Sequence, residues 1–128
     1  MNYKILEGAE NICLDDIVRL LRTTYWAGQC PVEKIEASLR YSSCYGVWLE
    51  DEQKLVGFAR VISDYATTYY LCDVIIDEAY RGKGLGKALL AHITAEYTSL
   101  RGLLLTRDAH GLYQQFGFET ADGRAMVK

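Results

Sequence analysis

A glycine-rich turn between a strand and a helix constrains the fold of this chain most strongly. An apolar run, Leu71 to Ile76, is followed by the turn Arg81-Gly82-Lys83-Gly84-Leu85-Gly86-Lys87 and then by apolar residues at helical spacing. Three glycines within five positions let the backbone turn tightly and approach a ligand closely. The first turn of the following helix presents unpaired N–H groups and the positive end of the helix dipole. This stretch therefore predicts a phosphate-binding site.

The spacing of the glycines excludes two common phosphate-binding loops. A Walker loop requires G-x-x-x-x-G-K-[ST], but the interval from Gly82 to Gly86 is one residue too short, and Ala88 occupies the Ser or Thr position. The dinucleotide fingerprint requires G-x-G-x-x-G, and the third glycine here is misplaced. The remaining pattern is Arg-x-x-Gly-x-Gly, which begins at Arg81 and opens a helix.

The rest of the chain predicts alternating helices and strands within one domain, residues 1–128. Hydrophobic periodicity and glycine and proline signals predict the helices 14–22, 32–41 and 85–97, and one from Asp108, as N-cap, to Gly117. Alternation and β-rich composition predict the strands 1–7, 44–49, 55–62 and 68–76 and a short buried strand 102–106. Residues 118–128 are expected to supply a last strand.

Composition limits the possible partners. The formal net charge is −3 and there is no basic patch, so we expect no nucleic-acid partner. No apolar stretch is long enough to span a membrane and no export signal is visible, so we expect a cytoplasmic protein without a membrane partner. The four cysteines form no C-x-x-C pair, which favours reduced thiols and no metal site.

A second motif follows the glycine turn and identifies a family. It reads Ala109-x-x-x-Tyr113-x-x-x-Gly117-Phe118. The two motifs, in this order, resemble the GCN5-related N-acetyltransferase (GNAT) superfamily, and the resemblance covers residues 44–118. It implies an α/β (α+β) fold with a mixed, mostly antiparallel sheet of about six to seven strands and about four helices. One departure is Thr106, where many members carry asparagine.

The resemblance implies acetyl-CoA as the co-substrate, without a metal. In that family the turn binds the pyrophosphate through backbone amides, and the preceding strand binds the pantetheine arm as an added strand. Lys83 and Lys87 either add charge or are solvated residues at the start of the helix. The residues that the resemblance assigns to coenzyme A are Val74, Ile75, Ile76, Arg81, Gly82, Lys83, Gly84, Leu85, Gly86 and Lys87.

Tyr113 is the candidate general acid, because a tyrosine with a reference pKa of about 10 is protonated at neutral pH and can give its proton to a thiolate. The alternative is a tyrosine that only packs under the helix. Asp73 is the candidate base or acceptor-binding residue, or else an ion-paired structural residue. His110 is a weaker candidate, and bulk water can also deprotonate an amine.

Tyr25, Trp26 and Asp64 are the candidate residues of the acceptor pocket, since aromatic rings in a loop suit an organic substrate or a cation. Trp26 alternatively anchors this loop to the core. Two functions remain open: an N-acetyltransferase acting on a primary amine of a small molecule or protein, and a non-catalytic acyl-CoA-binding module. Members of the superfamily often pair, so a homodimer is possible, although nothing in this chain identifies an interface.

Overall fold

The five strands of the sheet lie in the order in which they occur in the sequence. The computed structural model describes all residues, 1–128. The first four strands pair antiparallel, and the fifth pairs parallel to the fourth. The strands are β1 (Tyr3–Glu7), β2 (Ser43–Leu49), β3 (Lys54–Ser63), β4 (Thr68–Ile76) and β5 (Arg101–Leu103).

Four α-helices cover the two faces of the sheet, and they are α1 (Leu14–Leu21), α2 (Val32–Arg40), α3 (Leu85–Glu96) and α4 (His110–Gln114). The apolar stripes of α1 and α2 pack on one face, around the fully buried Phe58. The stripe of α3 packs on the other face, where Leu89 and Ile93 are fully buried. No helix combines the length and the apolar character that crossing a membrane requires.

The predicted fold class is confirmed, but the predicted number of strands is wrong. Residues 118–128 form no strand, so the sheet has five strands rather than six or seven. This segment is exposed along most of its length, and β5 gains no partner on its outer side. The segment has no regular alternation of apolar and polar residues, and it lacks the neighbours and the burial that mainly stabilise strands.

The region between α3 and α4 also differs from the prediction. The last paired strand is Arg101–Leu103, and it is not buried, since the side chain of Leu103 is 48% exposed at the sheet edge. Asp108 is not the N-cap of α4; Ala109 holds that position. The hydroxyl of Thr106 instead accepts a hydrogen bond from the Ala109 N–H at 3.0 Å. The helix therefore begins one residue later than predicted and is held by Thr106.

Strands β4 and β5 part shortly after they begin. Their register pairs Thr68 with Arg101, Tyr69 with Gly102 and Tyr70 with Leu103. From Leu71 to Ile76 the edge of β4 that faces β5 has no partner strand. The parted strands therefore leave an opening at the end of β4 that leads into the glycine turn.

A bulge interrupts β4 near this opening. Phe58 pairs with Ile75 and Arg60 pairs with Cys72, so Asp73 and Val74 together lie opposite a single residue of β3. Asp73 has a φ of 54°. Aspartate tolerates this left-handed conformation better than most residues, because its short polar side chain can hydrogen-bond locally.

Candidate functional site

The glycine turn presents a row of unpaired backbone donors. Gly82 and Gly84 adopt left-handed conformations, with φ of 78° and 83°. The N–H groups from Gly82 to Lys87 donate to no acceptor within the protein, whereas the next one, of Ala88, bonds to the Gly84 carbonyl at 3.0 Å. Consecutive donors in such a turn, joined to a helix N-terminus, form a concave anion site. The turn thus has the backbone geometry of an anion-binding site.

Asp77 ties the short helical turn Glu78–Tyr80, which leads into the glycine turn, to α1 and β3, a role that the sequence reasoning missed. Its carboxylate accepts a hydrogen bond from the Ala79 N–H at 3.1 Å and pairs with Arg19 at 3.2 Å and Lys54 at 3.6 Å. Partial burial by itself would raise the pKa of Asp77, but the Ala79 N–H and the two cations together bring it below the usual value. The sequence feature that could have revealed this role is an acidic residue placed between a strand and a short helical turn.

We expect Asp77→Asn to lower the free energy of unfolding at pH 7 by about 1 kcal/mol, because the amide keeps an acceptor for Ala79 but loses both ion pairs. The lowered pKa means that this stabilisation is present above the unfolded-state pKa, about 3.9, and is lost as pH falls through the folded-state value. Urea unfolding of both proteins between pH 7 and pH 3 tests this. A difference in stability that persists unchanged at pH 3 would contradict the ion-pair explanation.

A cleft of about 560 Å³ lies against the glycine turn and the end of β4. It contains most of the residues that the sequence assigned to coenzyme A, together with Tyr25 and Trp26 from the α1–α2 loop. The predicted residues that line it are Tyr25, Trp26, Val74, Ile75, Ile76, Arg81, Gly82, Gly84, Leu85, Gly86 and Lys87. Lys83 is exposed on the turn and does not border it. Because the side chains of Ile75 and Leu85 are buried in the core, these two residues offer the cleft mainly their backbone.

Tyr113 lies beside the cleft, on the helix whose Ala109 and Leu112 form part of its wall. The side chain packs against the core, and its ring meets Phe118 edge-on with centroids 6.1 Å apart. Burial raises the pKa of Tyr113 to about 12, and the nearby Asp108 and Tyr25 add to the rise. Its hydroxyl makes no hydrogen bond within the protein, and Tyr113 lines a second cavity, of about 240 Å³, rather than the cleft itself.

Asp73 is tied to two neighbours. Its Oδ2 accepts a hydrogen bond from Arg60 Nε at 2.9 Å, and its Oδ1 accepts one from Trp26 Nε1 at 2.9 Å. The side chains of Arg60 and Asp73 are only 17% and 15% exposed. The prediction of a base at Asp73 is not tested by these contacts, but they show that the carboxylate connects the α1–α2 loop to the sheet.

The structure does not bring Asp64 to the cleft. It lies at the opposite end of β4 from the glycine turn, about 25 Å away at about 3.3 Å per residue. Its carboxylate accepts hydrogen bonds from the N–H groups of Ala66, Thr67 and Thr68 and from the Thr67 hydroxyl, which hold its pKa well below the usual range. Asp64 thus closes the β3–β4 turn.

Two further cleft neighbours were missed by the sequence reasoning. The Arg107 guanidinium lies over the ring of Tyr25, with its carbon 3.8 Å from the ring centroid. Asp108 lines the cleft, and its carboxylate makes no hydrogen bond or ion pair within the protein. No local sequence pattern indicates either residue's place at the cleft, because residues 25 and 107 meet only once the sheet has formed.

Glu7, His92 and Glu96 form an exposed group away from the cleft, with potential ligand atoms within 4.8 Å of one another. His92 Nε2 pairs with Glu7 Oε1 at 2.5 Å, and the Tyr45 hydroxyl donates to Glu96 Oε2 at 2.6 Å. Hydrogen bonding and ion pairing thus account for the proximity of these side chains.

Comparisons with known proteins agree with this geometry. A family model described as the acetyltransferase (GNAT) domain matches residues 43–120. A histone acetyltransferase of Glycine max is 30% identical over 90% of this chain, which spans 55% of that relative's length. A chloroplastic GCN5-related N-acetyltransferase of Arabidopsis thaliana is 36% identical over 55% of this chain, which covers 29% of that relative.

A solved structure extends the similarity to nearly the whole fold. It is a protein from Xanthomonas campestris pv. campestris assigned to the GNAT family, 35% identical, with a TM-score of 0.86 over 94% of this chain and 86% of the other. A GNAT family protein from Streptococcus pneumoniae shares the fold, with a TM-score of 0.80 at 24% identity. The chain therefore belongs to the GNAT acetyltransferase family.

Proposed function

We propose that this protein transfers the acetyl group of acetyl-CoA to a primary amine of a small molecule or a protein. The observation that carries the proposal is the row of unpaired N–H groups from Gly82 to Lys87 at the end of an open strand edge. The turn suits the pyrophosphate of coenzyme A, and the free edge of β4 suits the amide groups of its pantetheine arm. Arg81 and Lys87 border the same cleft and complement the charge of the phosphates.

The proposed reaction is a direct displacement at the thioester. The amine nitrogen forms a bond to the carbonyl carbon, the carbon–sulfur bond breaks, and the amine releases a proton to water. Tyr113 donates its hydroxyl proton to the departing sulfur and is then reprotonated by solvent. Backbone N–H groups near Ile75 and Ile76 are our candidates for stabilising the negative charge that develops on the carbonyl oxygen.

The acceptor side of the cleft favours a cationic amine. Tyr25 and Trp26 are exposed there, with ring centroids 5.0 Å apart in an edge-on arrangement, and Asp108 supplies an unpaired carboxylate. Because Arg107 already covers the ring of Tyr25, the ring of Trp26 and the carboxylate of Asp108 are the groups that would attract an ammonium ion. The soybean relative's description as a histone acetyltransferase supports protein lysines among the acceptors to be tested.

The setting of this activity is also a proposal. We propose a cytoplasmic enzyme with no nucleic-acid or membrane partner, because the net charge is −3 and the four cysteines are free thiols. We further propose that it can pair as a homodimer, on the basis of its family. Sedimentation at micromolar concentration tests the pairing, and a single monomeric species would contradict it.

Thiol release in the presence of acetyl-CoA and a panel of amines tests the proposed function. The panel contains polyamines, amino acids, aminoglycosides and lysine-containing peptides. We expect amine-dependent release of thiol with at least one class of amine.

A second function, a non-catalytic acyl-CoA-binding module, is favoured by Thr106. Its hydroxyl accepts a hydrogen bond from α4 at the position where many members of the family carry asparagine. Calorimetric binding of acetyl-CoA without release across the panel would support the module, and the absence of both would contradict either function.

We expect Gly84→Ala to weaken coenzyme A binding about tenfold, because an L-residue pays about 1–2 kcal/mol in the left-handed conformation and relaxes by turning the donors away from the ligand. A Cβ at this position meets no atom within 4 Å, so steric overlap within the protein is not the cause. Calorimetry measures the dissociation constant. Gly123→Ala is the matched control, because Gly123 also has a positive φ, 65°, and lies outside the cleft. Equal weakening by both variants would contradict the role of the turn.

A further inference from the structure

We infer that Asp73 is a positioning residue that acts through Trp26: it anchors the α1–α2 loop, which forms the acceptor side of the cleft, and it does not take the proton of the amine. The inference deepens the proposed acetyl transfer and rests on it, since the loop matters only if an acceptor binds there. It departs from the sequence-based hypothesis that Asp73 is a base or contacts the acceptor directly.

Both oxygens of the Asp73 carboxylate already accept hydrogen bonds from fixed donors. Arg60 Nε and Trp26 Nε1 each lie at 2.9 Å. A general base must reach the proton that it abstracts, directly or through one water. The side chain of Asp73 is also only 15% exposed, whereas its partner Trp26 is 47% exposed and borders the cleft. Both acceptor oxygens are thus engaged with the protein rather than directed at an amine.

The donor on the sheet side is itself held in place. Arg60 Nη1 donates to Ser42 Oγ at 3.0 Å, and the Ser42 hydroxyl donates to the Ser38 carbonyl at 2.7 Å. Ser38 belongs to α2, so a continuous chain of hydrogen bonds runs from this helix across β3 to Asp73. Asp73 therefore offers Trp26 an acceptor whose position is fixed by the fold.

The loop between α1 and α2, residues 22–31, depends on this acceptor. Its other side-chain hydrogen bonds are local: Arg22 Nη1 donates to the Cys30 carbonyl at 2.7 Å, and the Thr24 hydroxyl receives the Ala27 N–H at 3.0 Å. The Trp26–Asp73 bond is the one hydrogen bond that joins the loop to the sheet. The stacking of Arg107 on Tyr25 and the packing of Ala27 and Cys30 against the core still hold the loop, so loss of this bond should free the Trp26 side chain and its neighbouring backbone rather than detach the loop.

The bulge explains why the residue at this position is an aspartate. A φ of 54° is costly for most side chains, and aspartate, asparagine and glycine tolerate it best. Among these three, only the carboxylate offers two acceptor oxygens to two donors, because an amide has one oxygen and glycine has none. Glycine and asparagine substitutions thus preserve the backbone while removing the anchor in whole or in part.

Steady-state kinetics of Asp73→Gly, Trp26→Phe and the double variant test the inference, with the best amine of the panel as acceptor. We expect each single variant to raise the acceptor KM about tenfold, with kcat and the acetyl-CoA KM nearly unchanged. Because both substitutions break the same bond, we expect the acceptor KM of the double variant also to rise about tenfold, rather than by the product of the two single effects. Asp51→Asn, an exposed carboxylate in the β2–β3 turn, is the control and should behave as the unmodified protein.

The shape of the pH profile separates positioning from proton transfer. For a positioning residue, Asp73→Asn keeps the pH dependence of kcat/KM seen in the unmodified protein. For a base, the same variant loses about 10²- to 10⁴-fold in kcat, while Trp26→Phe does not. A large loss of kcat confined to the Asp73 variants, or additive effects in the double variant, would overturn the inference.

A measurement without activity tests the anchor itself. The chain has two tryptophans, so in a Trp48→Phe background the emission comes from Trp26 alone. We expect Asp73→Gly in that background to increase quenching of Trp26 by acrylamide while the far-ultraviolet circular dichroism stays the same. Unchanged quenching overturns the anchor. Increased quenching in a protein that acetylates no amine retains the anchor and contradicts the proposed function instead.

Discussion

Tyr113→Phe is expected to lower kcat by about 10²- to 10⁴-fold, the usual contribution of a positioned proton donor. The substitution removes only the hydroxyl, which makes no hydrogen bond within the protein, so the fold should be retained. The ring keeps its edge-on contact with Phe118. Coenzyme A affinity should change little, because Tyr113 is not among the residues of the cleft wall.

The raised pKa of Tyr113 gives this prediction a pH dependence. With a pKa of about 12, the hydroxyl stays protonated throughout the pH range in which turnover can be assayed. Deprotonation of Tyr113 should therefore cause no decrease in kcat below pH 10. Stopped-flow or single-turnover kinetics at saturating acetyl-CoA measure the chemical step. Tyr41→Phe is the matched control, since that side chain is 81% exposed and outside the cleft. Near-normal turnover of Tyr113→Phe would remove Tyr113 from the role of acid.

Phe58→Ala is expected to lower the free energy of unfolding by about 3–5 kcal/mol, through lost burial and the cavity that remains. The side chain is 0% exposed and lies in the cluster that joins α1 and α2 to the sheet. Because domains of this kind are stable by only about 5–15 kcal/mol, the variant should be close to unfolding at 37 °C. Urea denaturation at 25 °C gives the difference in midpoint.

Phe58→Leu provides the comparison, since a large apolar side chain refills much of the space and should cost less than the alanine variant. The same cluster contains Ile75, which pairs with Phe58 across β3 and β4. We therefore expect the alanine variant to weaken coenzyme A binding as well, even at temperatures at which it remains folded. An alanine variant as stable as the leucine variant would contradict the packing argument.

Local sequence patterns predicted the elements that form from neighbouring residues. Helix α3 runs from Leu85 to Glu96, within one residue of the predicted 85–97, because a glycine turn marks its start and a regular apolar stripe defines its face. The β2–β3 hairpin was equally accessible, because a charged turn separates two β-rich runs. The glycine pattern also predicted the unpaired N–H groups that the structure shows in the turn before this helix.

The predictions that were wrong concern features set by contacts between residues that are distant in the sequence. The segment 118–128 was predicted to be a last strand, yet no neighbour pairs with it. Asp64 has the charge of an acceptor ligand, but only the fold reveals that the β3–β4 hairpin carries it to the far end of the sheet. The pairing of Trp26 with Asp73 joins residues 47 positions apart and depends on a bulge that periodicity does not show.

The parting of β4 and β5 also bears on how the protein behaves without its donor. From Leu71 to Ile76, peptide groups along one side of β4 have no neighbouring strand, and an edge of this kind can pair with a strand of another molecule. A donor bound along that edge takes the place of the missing neighbour. The opening that we propose for acetyl-CoA is thus also a potential nucleus for aggregation, and a donor bound there would protect the protein from it.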